Sequence, residues 1–491
     1  MRRLKILFLF FLFGFSIWAI NYVLNRIDLN PLKNEYRYHQ SLKKTKTTYT
    51  RYCQRCHGKQ EACKFNFRFG TSLNEIKKNI THGISSVGMP SFADSLSSDK
   101  IKELAKFIYN YREYTFDELH QYKLKNTTIY TANEQQIYLD TFFYHSEILI
   151  PWSIEFIDTQ TILISDRNNG LYYFNKTKNI FRKIKHVPNA ASGTFGGYLD
   201  IALHPNFSNN NLVYFAYTKK YGAKLSLTVM RAILNLETFT LTATKDIFKA
   251  LPESFFDGEF GSRLLFGKDT CLYITVGHCG SKEPSILKLD NHLGKVIRIR
   301  DDGTIPKDNP YIDTKNALPE IYAIGLRNSQ GLAIDTNGNI WSNEHGPKGG
   351  DELNIIEKGA NYGWPIVSYG INYDGSLLTK YTKKDGIKNP IHYWTPSIAP
   401  CGMDFLNNDK YGKSWRGNLF IASLKFDYLL RVVLKNNSFE KEETLFKGVG
   451  RVRDVKIGKD GYIYFTTEGL KDYVIRKGKP GIIFRLIPIA K

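Results

Sequence analysis

Asp460-Gly461-Tyr462-Ile463-Tyr464-Phe465 joins a tight turn to a short aromatic strand, and this pattern decides the fold because it recurs along the chain. The other copies begin at Asn169, Asn211, Asp269, Asn337 and Gly417. Six copies separated by roughly forty to eighty residues indicate repeated four-stranded blades with loop insertions. A β-sandwich is the alternative, since Asp-Gly and Asn-Gly turns join strands in many antiparallel folds. We expect an all-β propeller over residues 131–491.

The first thirty residues have the character of a membrane segment. Residues 6–25 carry no charge, are rich in Phe, Leu and Ile, and follow a basic start. About twenty apolar residues are enough to span a bilayer as a helix. The stretch offers no clear small-residue cleavage site, so residues 1–30 are predicted to be an uncleaved transmembrane anchor. The positive-inside rule then predicts a single-pass protein of a bacterial inner membrane, with its domains in the periplasm.

The charge of the chain is strongly basic, with a formal net charge of +21. Such a balance is found in proteins that bind nucleic acids or anionic membrane surfaces. Here the Lys and Arg residues are scattered along the chain, and no nucleic-acid-binding motif accompanies them. We therefore expect a solvated basic surface and no nucleic-acid partner.

Residues 46–115 have a helical pattern, between a polar linker at 31–45 and a polar connector at 116–130. The clearest helix is expected to begin near Ser97 and Ser98, since either hydroxyl can cap it. Ile101, Leu104, Ala105 and Ile108 then recur at spacings of three and four residues. This spacing gives the helix one apolar face and predicts a small all-α domain.

Cys53-Gln54-Arg55-Cys56-His57 is a Cys-x-x-Cys-His motif within this domain. Two thiols one helical turn apart can each bond a vinyl group of one haem, and the adjacent histidine can then ligate the iron. Met89, in a short Gly-Met-Pro loop, is the predicted second axial ligand. His/Met ligation raises the reduction potential, which suits an electron acceptor. Residues 50–110 resemble mono-haem cytochrome c domains, which implies haem c.

The cysteines of this motif also suit two other kinds of site. A zinc half-site would need a second ligand pair, for which only Cys63 and His82 are near. A redox-active thiol pair would need a βαβ context. His82 is also the rival to Met89 as distal haem ligand. Three further cysteines carry no motif, and the sequence leaves the disulfide pairing of Cys63 with them open; they are Cys271, Cys279 and Cys401.

Several loops of the predicted propeller carry groups suited to an anionic, planar cofactor. Four cations would repel one another unless an anion or carboxylates lay between them; they are Arg327, Lys425, Arg451 and Arg453. The turn Gly346–Glu352 adds carbonyl and carboxylate oxygens that can bind calcium. Taken singly, each cation could be an ordinary surface residue and the turn an ordinary glycine-rich one. From the residues alone, an anion-plus-calcium site is predicted.

Most of residues 131–491 resembles the soluble glucose/sorbosone dehydrogenases, and in particular the bacterial aldose sugar dehydrogenases of that family. The motifs that carry the resemblance are long; they are Gly197–Phe207, Leu293–Arg298, Gly303–Pro310, Gly325–Leu332, Asn343–Pro347, Asn361–Pro365, Trp394–Pro400 and Arg451–Val455. The resemblance implies a six-bladed propeller that binds pyrroloquinoline quinone (PQQ) and calcium and oxidises a sugar or related polyol.

The resemblance also implies roles for individual residues. Those expected to contact the quinone are Arg327, Asn328, Lys425, Arg451 and Arg453. The carbonyls of Gly346 and Pro347 are expected to bind the calcium that polarises the quinone, while Ser397 approaches the cofactor and Trp394 lines the substrate mouth. Glu352 and Tyr362 match positions that can bind a structural calcium.

Two positions depart from the family pattern. The general base of the family is a histidine four residues before an arginine, and Glu259 stands there, four residues before Arg263. Phe195 replaces a glutamine that contacts the cofactor. Two functions therefore stay open. One is a membrane-anchored dehydrogenase that passes electrons to its own haem and then to a downstream acceptor, with Glu259 and Arg327 catalytic. The other is a catalytically impaired propeller that binds a sugar or glycan.

Overall fold

The structure is a computed structural model; it describes residues 48, 73–83, 91–105, 129–191, 195–255, 258–281, 284–469 and 480–489. The chain divides into two compact units, Met1–Thr115 and Phe116–Lys491. The predicted anchor and the four predicted haem residues lie outside the described residues; the latter are Cys53, Cys56, His57 and Met89. Within the described part, none of the helices has the length and apolar character that a bilayer crossing requires.

The first unit contains helix α1, Leu73–His82, and helix α2, residues 98–105. The Ser97 side chain accepts a hydrogen bond from the Lys100 amide at 3.4 Å, so the predicted cap is confirmed. Ile101, Leu104 and Ala105 are all buried, which confirms the predicted apolar face for these three residues, while Ile108 lies outside the described residues. His82 is exposed at the end of α1.

The second unit is built from 25 strands within the described residues. In chain order they are β1 Ile129–Ala132, β2 Gln135–Tyr144, β3 Pro151–Phe156, β4 Thr161–Asp166, β5 Gly170–Asn175, β6 Ile180–Lys183, β7 Tyr198–Leu203, β8 Leu212–Tyr221, β9 Lys224–Asn235, β10 Thr240–Lys249, β11 Gly261–Phe266, β12 Leu272–Val276, β13 Lys295–Ile299, β14 Ile321–Ile324, β15 Ser329–Ile334, β16 Ile340–Glu344, β17 Asp351–Ile356, β18 His392–Trp394, β19 Pro400–Phe405, β20 Leu419–Ser423, β21 Tyr428–Lys435, β22 Ser438–Leu445, β23 Val452–Ile457, β24 Ile463–Thr467 and β25 Ile482–Ile489. Two short helices join them, α3 Phe207–Asn210 and the 3₁₀ helix Pro284–Leu287.

These strands form a closed six-bladed propeller, which confirms the predicted fold. Blades 1 to 5 are the four-stranded sheets β3–β6, β7–β10, β11–β14, β15–β18 and β19–β22. Blade 6 joins β23, β24 and β25 to the N-terminal strands β2 and β1, so both ends of the domain close the ring. The innermost strands touch in a full cycle, namely β3, β7, β11, β15, β19, β23 and β3 again. A β-sandwich has no such cycle.

The sequence repeat that predicted the blades falls once in each of them. Five copies lie on the second strand of their blade, which are β8, β12, β16, β20 and β24. The copy at 169–174 lies instead on β5, the third strand of blade 1. Apolar layers between neighbouring blades bury the aromatic residues of these strands, for example Tyr214 in β8 and Phe420 in β20.

One face of the propeller collects the irregular backbone, and we call it the upper face. It consists of the segments that precede the first strand of each blade and follow the second strand, because antiparallel neighbours bring these ends together. Each of the six first strands also breaks register near its start. Bulges of this kind re-aim side chains beside functional sites, so the upper face is where a site is expected.

Candidate active site

The upper face contains the site residues predicted from the propeller sequence. Before the first strands, or at their starts, are Glu259, Arg327, Asn328, Ser397, Arg451 and Arg453. After the second strands are Gly346, Pro347 and Lys425, and Glu352 lies at the start of a third strand. Phe195, which precedes β7, is exposed on the same face. Residues from blades 3, 4, 5 and 6 thus share one end of the ring.

A run of hydrogen bonds connects blade 4 to blade 5 along this face. The Arg327 guanidinium donates to the carbonyls of His345 and Gly346 at 3.0 Å each. The Gly346 amide donates to Asp351 at 2.8 Å, and the Ser397 hydroxyl donates to the same carboxylate at 2.8 Å. The buried Asp351 carboxylate therefore connects Ser397 to the turn that was predicted to bind calcium. Burial raises the pKa of Asp351 to about 6.

The same run continues to blade 6. The Lys425 amide donates to the Ile398 carbonyl at 3.3 Å, and the Arg451 guanidinium donates to the carbonyl of Leu424 at 3.1 Å. Arg327, Ser397, Lys425 and Arg451 are thus linked through backbone and carboxylate groups of one surface. The convergence of the four cationic side chains beside the 346–347 turn stays a prediction.

Glu468 lies between two of the predicted cations. Its carboxylate accepts from Arg451 at 3.1 Å and is also paired with Arg453. Arg167, which follows β4, is buried and interacts electrostatically with Glu468 and with both of these arginines. Burial and the two arginines lower the Arg167 pKa, whereas the arginines hold the Glu468 pKa well below its usual range. Asp166 is a second carboxylate within range of Arg167, so three arginines face two carboxylates and one positive unit is left, which fits an anionic cofactor.

Sequence reasoning missed Arg167 and Glu468. Arg167 follows β4 and Glu468 follows β24, the second strands of their blades. Gly346 and Lys425, which were predicted, follow the second strands β16 and β20. This shared position in the blade is the signal that could have identified Arg167 and Glu468 from the sequence. Asn328 has a more limited role than predicted, since its carbonyl oxygen accepts from the Gly261 amide at 3.1 Å. A cofactor contact would therefore fall to its amide nitrogen.

Glu259 lies at the centre of a three-residue cluster. One carboxylate oxygen is 2.5 Å from the Arg327 guanidinium, and the other is 2.7 Å from Nε2 of His278. Burial raises the Glu259 pKa, but His278 and Arg327 outweigh it and hold that pKa at about 2. Glu259 is therefore an ionised carboxylate at neutral pH. His278 was not singled out from the sequence; it follows the second strand of blade 3, β12.

The backbone at Glu259 is unusual. Its φ of 54° lies in the left-handed region, which non-glycine residues seldom adopt. Gly277 permits this approach, because a Cβ at position 277 would overlap the Glu259 carbonyl oxygen. Strained residues of this kind cluster at functional sites, where the surrounding structure holds them in place.

A cavity of about 670 Å³ opens onto this cluster. Its walls include Glu259, His278 and Arg327, together with the exposed rings of Phe255 and Tyr373. Trp394 does not line it: the indole is buried in a core between blades 4 and 5 and donates to Glu442 at 2.8 Å. The predicted role of Trp394 at the substrate mouth is therefore wrong. The volume is typical of small-molecule sites.

A second buried cluster surrounds Glu352. Glu344 and Glu352 are directly opposite residues on β16 and β17. Burial, and for Glu352 the neighbouring carboxylate, raises both pKa values, that of Glu344 to about 7. The side-chain oxygen of Asn354, buried between them, has no hydrogen-bond partner within the described residues. Repelling carboxylates beside an unpaired carbonyl oxygen are the donor set that calcium prefers.

The predicted calcium ligands fit this cluster unequally. The Tyr362 hydroxyl donates to the Ile355 carbonyl at 2.5 Å, so a ligand role for Tyr362 falls to its backbone carbonyl. At the other predicted site, Gly346 already binds the Arg327 guanidinium, an unfavourable neighbour for a divalent cation. Nowhere in the described part of the chain do three His, Cys, Asp or Glu residues converge as a metal-binding group. The Glu344–Glu352 pair fits calcium better than the 346–347 turn.

Cys271, Cys279 and Cys401 are free thiols in the described structure. Cys63, the remaining cysteine outside the haem motif, lies outside the described residues. Cys271, Cys279 and Cys401 are therefore not joined to one another, and the pairing of Cys63 lies outside the described residues.

Comparison with known proteins finds matches for both the propeller and the N-terminal part of the chain. The family model for glucose/sorbosone dehydrogenase matches residues 148–476, and that for cytochrome c oxidase, cbb3-type, subunit III matches residues 40–108. Aldose sugar dehydrogenase YliI of Escherichia coli is 34% identical over 324 residues, which cover 65% of this chain and 87% of its own length. Quinoprotein glucose dehydrogenase B of Acinetobacter calcoaceticus is 28% identical over 366 residues, covering 59% and 75% respectively.

A solved structure extends the match to three dimensions. The apo form of the soluble aldose sugar dehydrogenase from Escherichia coli superposes with a TM-score of 0.67 at 31% identity, over 72% of this chain and 100% of that chain. The propeller, its site residues and these relatives lead to one conclusion: the chain belongs to the glucose/sorbosone dehydrogenase family, with a cytochrome-type domain ahead of the propeller.

Proposed function

We propose that the chain is a membrane-anchored periplasmic quinoprotein dehydrogenase that oxidises a sugar or related polyol with PQQ and passes the electrons to its own haem c. The observation that carries this proposal is the uncompensated positive charge of Arg167, Arg451 and Arg453 around Glu468. Buried cations without enough partners are costly, and an acidic quinone would neutralise them. Bound there, the quinone would supply the acceptor for the hydride that leaves the sugar.

Residues of the propeller bind the substrate, accept its proton and stabilise the charge that develops. The substrate is held in the cavity beside Phe255 and Tyr373, whose exposed rings offer apolar faces to a sugar. Glu259 accepts the proton of the reacting hydroxyl, since its carboxylate faces the cavity and is ionised. Arg327 holds this carboxylate in place and stabilises negative charge on the substrate oxygen.

Electrons then pass to the N-terminal haem, which Cys53 and Cys56 would bond and His57 and Met89 would ligate. This part of the proposal rests on the Cys-x-x-Cys-His motif and the cytochrome family match. A covalent tether raises the effective concentration of the acceptor without a tight interface. The uncharged stretch at 6–25 would anchor the protein to the membrane, close to a downstream acceptor.

Calcium is expected to stabilise the propeller through the Glu344–Glu352 pair. A ligand that binds only the folded state adds about 2.7 kcal/mol at a hundred times its Kd. Saturating calcium should therefore raise the melting temperature by several degrees, and Glu352→Gln should remove most of that rise. Differential scanning fluorimetry measures it, with Glu357→Gln as the control because Glu357 is exposed and pairs with Lys388. Equal calcium responses in all three proteins would contradict the site.

Reconstitution tests the function as a whole. The full chain, loaded with PQQ and calcium, should show reduction of the haem absorbance band on addition of an aldose. Arg453→Ala should weaken PQQ binding at least tenfold, since the loss of one charge-assisted contact costs about 1.5–3 kcal/mol, whereas exposed Arg416→Ala should not. PQQ binding without haem reduction by any sugar would instead favour the impaired sugar-binding propeller. That alternative draws its support from Glu259 and Phe195 at positions where the family has other residues.

A further inference from the structure

We propose that Glu259 and His278 act as one proton-accepting pair, in which the imidazole supplies the basicity that the carboxylate lacks. The inference rests on the proposed dehydrogenase function and adds His278 to its machinery. Glu259 is the residue that meets the substrate, whereas His278 acts through Glu259. The side chain of Glu259 is 23% exposed and that of His278 only 1%.

The contacts of the imidazole determine where its protons lie. Nδ1 is 2.5 Å from the Ser281 carbonyl oxygen, which can only accept, so Nδ1 carries a hydrogen. Nε2 is 2.7 Å from the second oxygen of Glu259, and an ionised carboxylate also only accepts. At this separation one proton can be shared between Nε2 and that oxygen. When this proton is removed, a lone pair of Nε2 faces a lone pair of the carboxylate oxygen. This deprotonated pair is the form that can accept the substrate proton.

A lone carboxylate would be a poor base here. Arg327 stabilises the ionised form of Glu259, and a carboxylate with a pKa of about 2 has little tendency to accept a proton near neutral pH. A proton that reaches Glu259 next to a neutral imidazole is instead shared with Nε2. The imidazole nitrogen thus gives the pair a second atom that can hold the proton, which the carboxylate alone lacks. Such a pair titrates as a unit.

The proton and electron balance is simple. The O–H bond of the substrate breaks, and its proton enters the gap between Glu259 and His278. The adjacent C–H bond breaks with its electron pair, which leaves as a hydride to the quinone, so the alcohol carbon becomes a carbonyl. The proton later returns to water through the cavity along Glu259. Nothing beyond the substrate, the quinone and water is required.

The other groups that face Glu259 do not titrate in the working range. Burial and Arg327 lower the pKa of His345 to about 3. Burial and Glu259 raise the pKa of Cys279 to about 12. Arg327 stays charged, as arginines do. Glu344 and Asp351 also ionise in this range, with pKa values of about 7 and about 6, so the step that belongs to the pair is the one that His278→Gln removes.

The pH dependence of turnover tests the inference. In the reconstituted full chain, kcat/KM should rise with pH in one step, as the shared proton is lost. His278→Gln keeps a donor to Glu259 but cannot gain or lose a proton, so the step should vanish and kcat/KM at pH 7 should fall about 100-fold. The exchange Glu259→His with His278→Glu rebuilds the pair in reverse order and should recover at least tenfold over either single variant. Exposed His186→Gln is the matched control.

A readout without quinone or sugar completes the test. In ¹⁵N-histidine NMR of the full chain, the ring signals absent from His278→Gln should titrate in one step that Glu259→Gln shifts. If these signals titrate identically in both backgrounds, the pair does not exist. If wild type oxidises no sugar, the proposed function fails, while the NMR result still stands. If wild type is active and His278→Gln keeps its rate and pH step, the inference alone is overturned.

Discussion

Replacing Arg263 with leucine is expected to lower the free energy of unfolding by about 3–5 kcal/mol, the usual cost of removing one partner of a buried ion pair. Arg263 lies in β11 and is 3% exposed. Its guanidinium is 2.8 Å from Asp454 in blade 6 and 3.4 Å from Asp200 in blade 2. Without it, two buried carboxylates lose their shared counter-charge.

The same side chain reaches the three remaining blades. It donates to the Gln330 carbonyl of blade 4 at 2.6 Å and lies 3.7 Å from the Cys401 sulfur of blade 5. It also stacks over the Trp152 ring of blade 1 at 4.2 Å. One residue thus holds the innermost strands of all six blades together at the centre of the ring. We therefore expect the loss to be felt by the whole propeller and not by blade 3 alone.

Urea denaturation followed by tryptophan fluorescence measures this loss, since five of the six tryptophans lie in the propeller. Arg416→Leu is the matched control, because Arg416 is 59% exposed and its pair with Asp409 is 3.3 Å long. Exposed pairs contribute about 0–1 kcal/mol. If Arg263→Leu unfolds within 1 kcal/mol of Arg416→Leu, the central ion network does not stabilise the ring.

The fold was predictable because its signal is local and repeated. An Asp or Asn turn followed by an aromatic strand requires only neighbouring residues, and it occurs once per blade. The closure of the ring by β1 and β2 was harder to predict, since it pairs residues 136–144 with residues 482–489. Such distant pairing leaves no mark in the periodicity of either strand.

The site was predictable only where a motif names it. Arg451 and Arg453 lie within a long family motif, but Glu468, the carboxylate that they share, does not. Glu468 meets these arginines, and His278 meets Glu259, only because the second strand of each blade ends at the upper face. A sequence shows the charge of each residue but not which opposite charges the ring brings together. The sequence therefore predicted that four cations surround one bound anion. In the structure, two of these cations, Arg451 and Arg453, are already paired with Glu468.

Glu259→Gln is expected to reduce turnover by about 100-fold or more, the range attributed to general acid–base catalysis. Glutamine has the same shape, and its amide oxygen can accept from Arg327 while its amide nitrogen donates to His278. The cluster should therefore keep its geometry, and the arginines around Glu468 should bind quinone as before. What glutamine cannot do is take the substrate proton, because an amide has no accessible basic form.

The measurement is single-turnover haem reduction in the quinone-loaded chain, together with quinone affinity in the same preparation. Glu253→Gln is the matched control, since Glu253 lies on the wall of the same cavity and pairs with Lys249 at 2.6 Å. It should stay within about twofold of wild type, because its carboxylate pairs with Lys249 and contacts neither Arg327 nor His278 in the cluster. A Glu259→Gln variant that binds quinone and turns over at the wild-type rate would remove Glu259 from the proton transfer. It would also remove His278, whose only route to the substrate runs through that carboxylate.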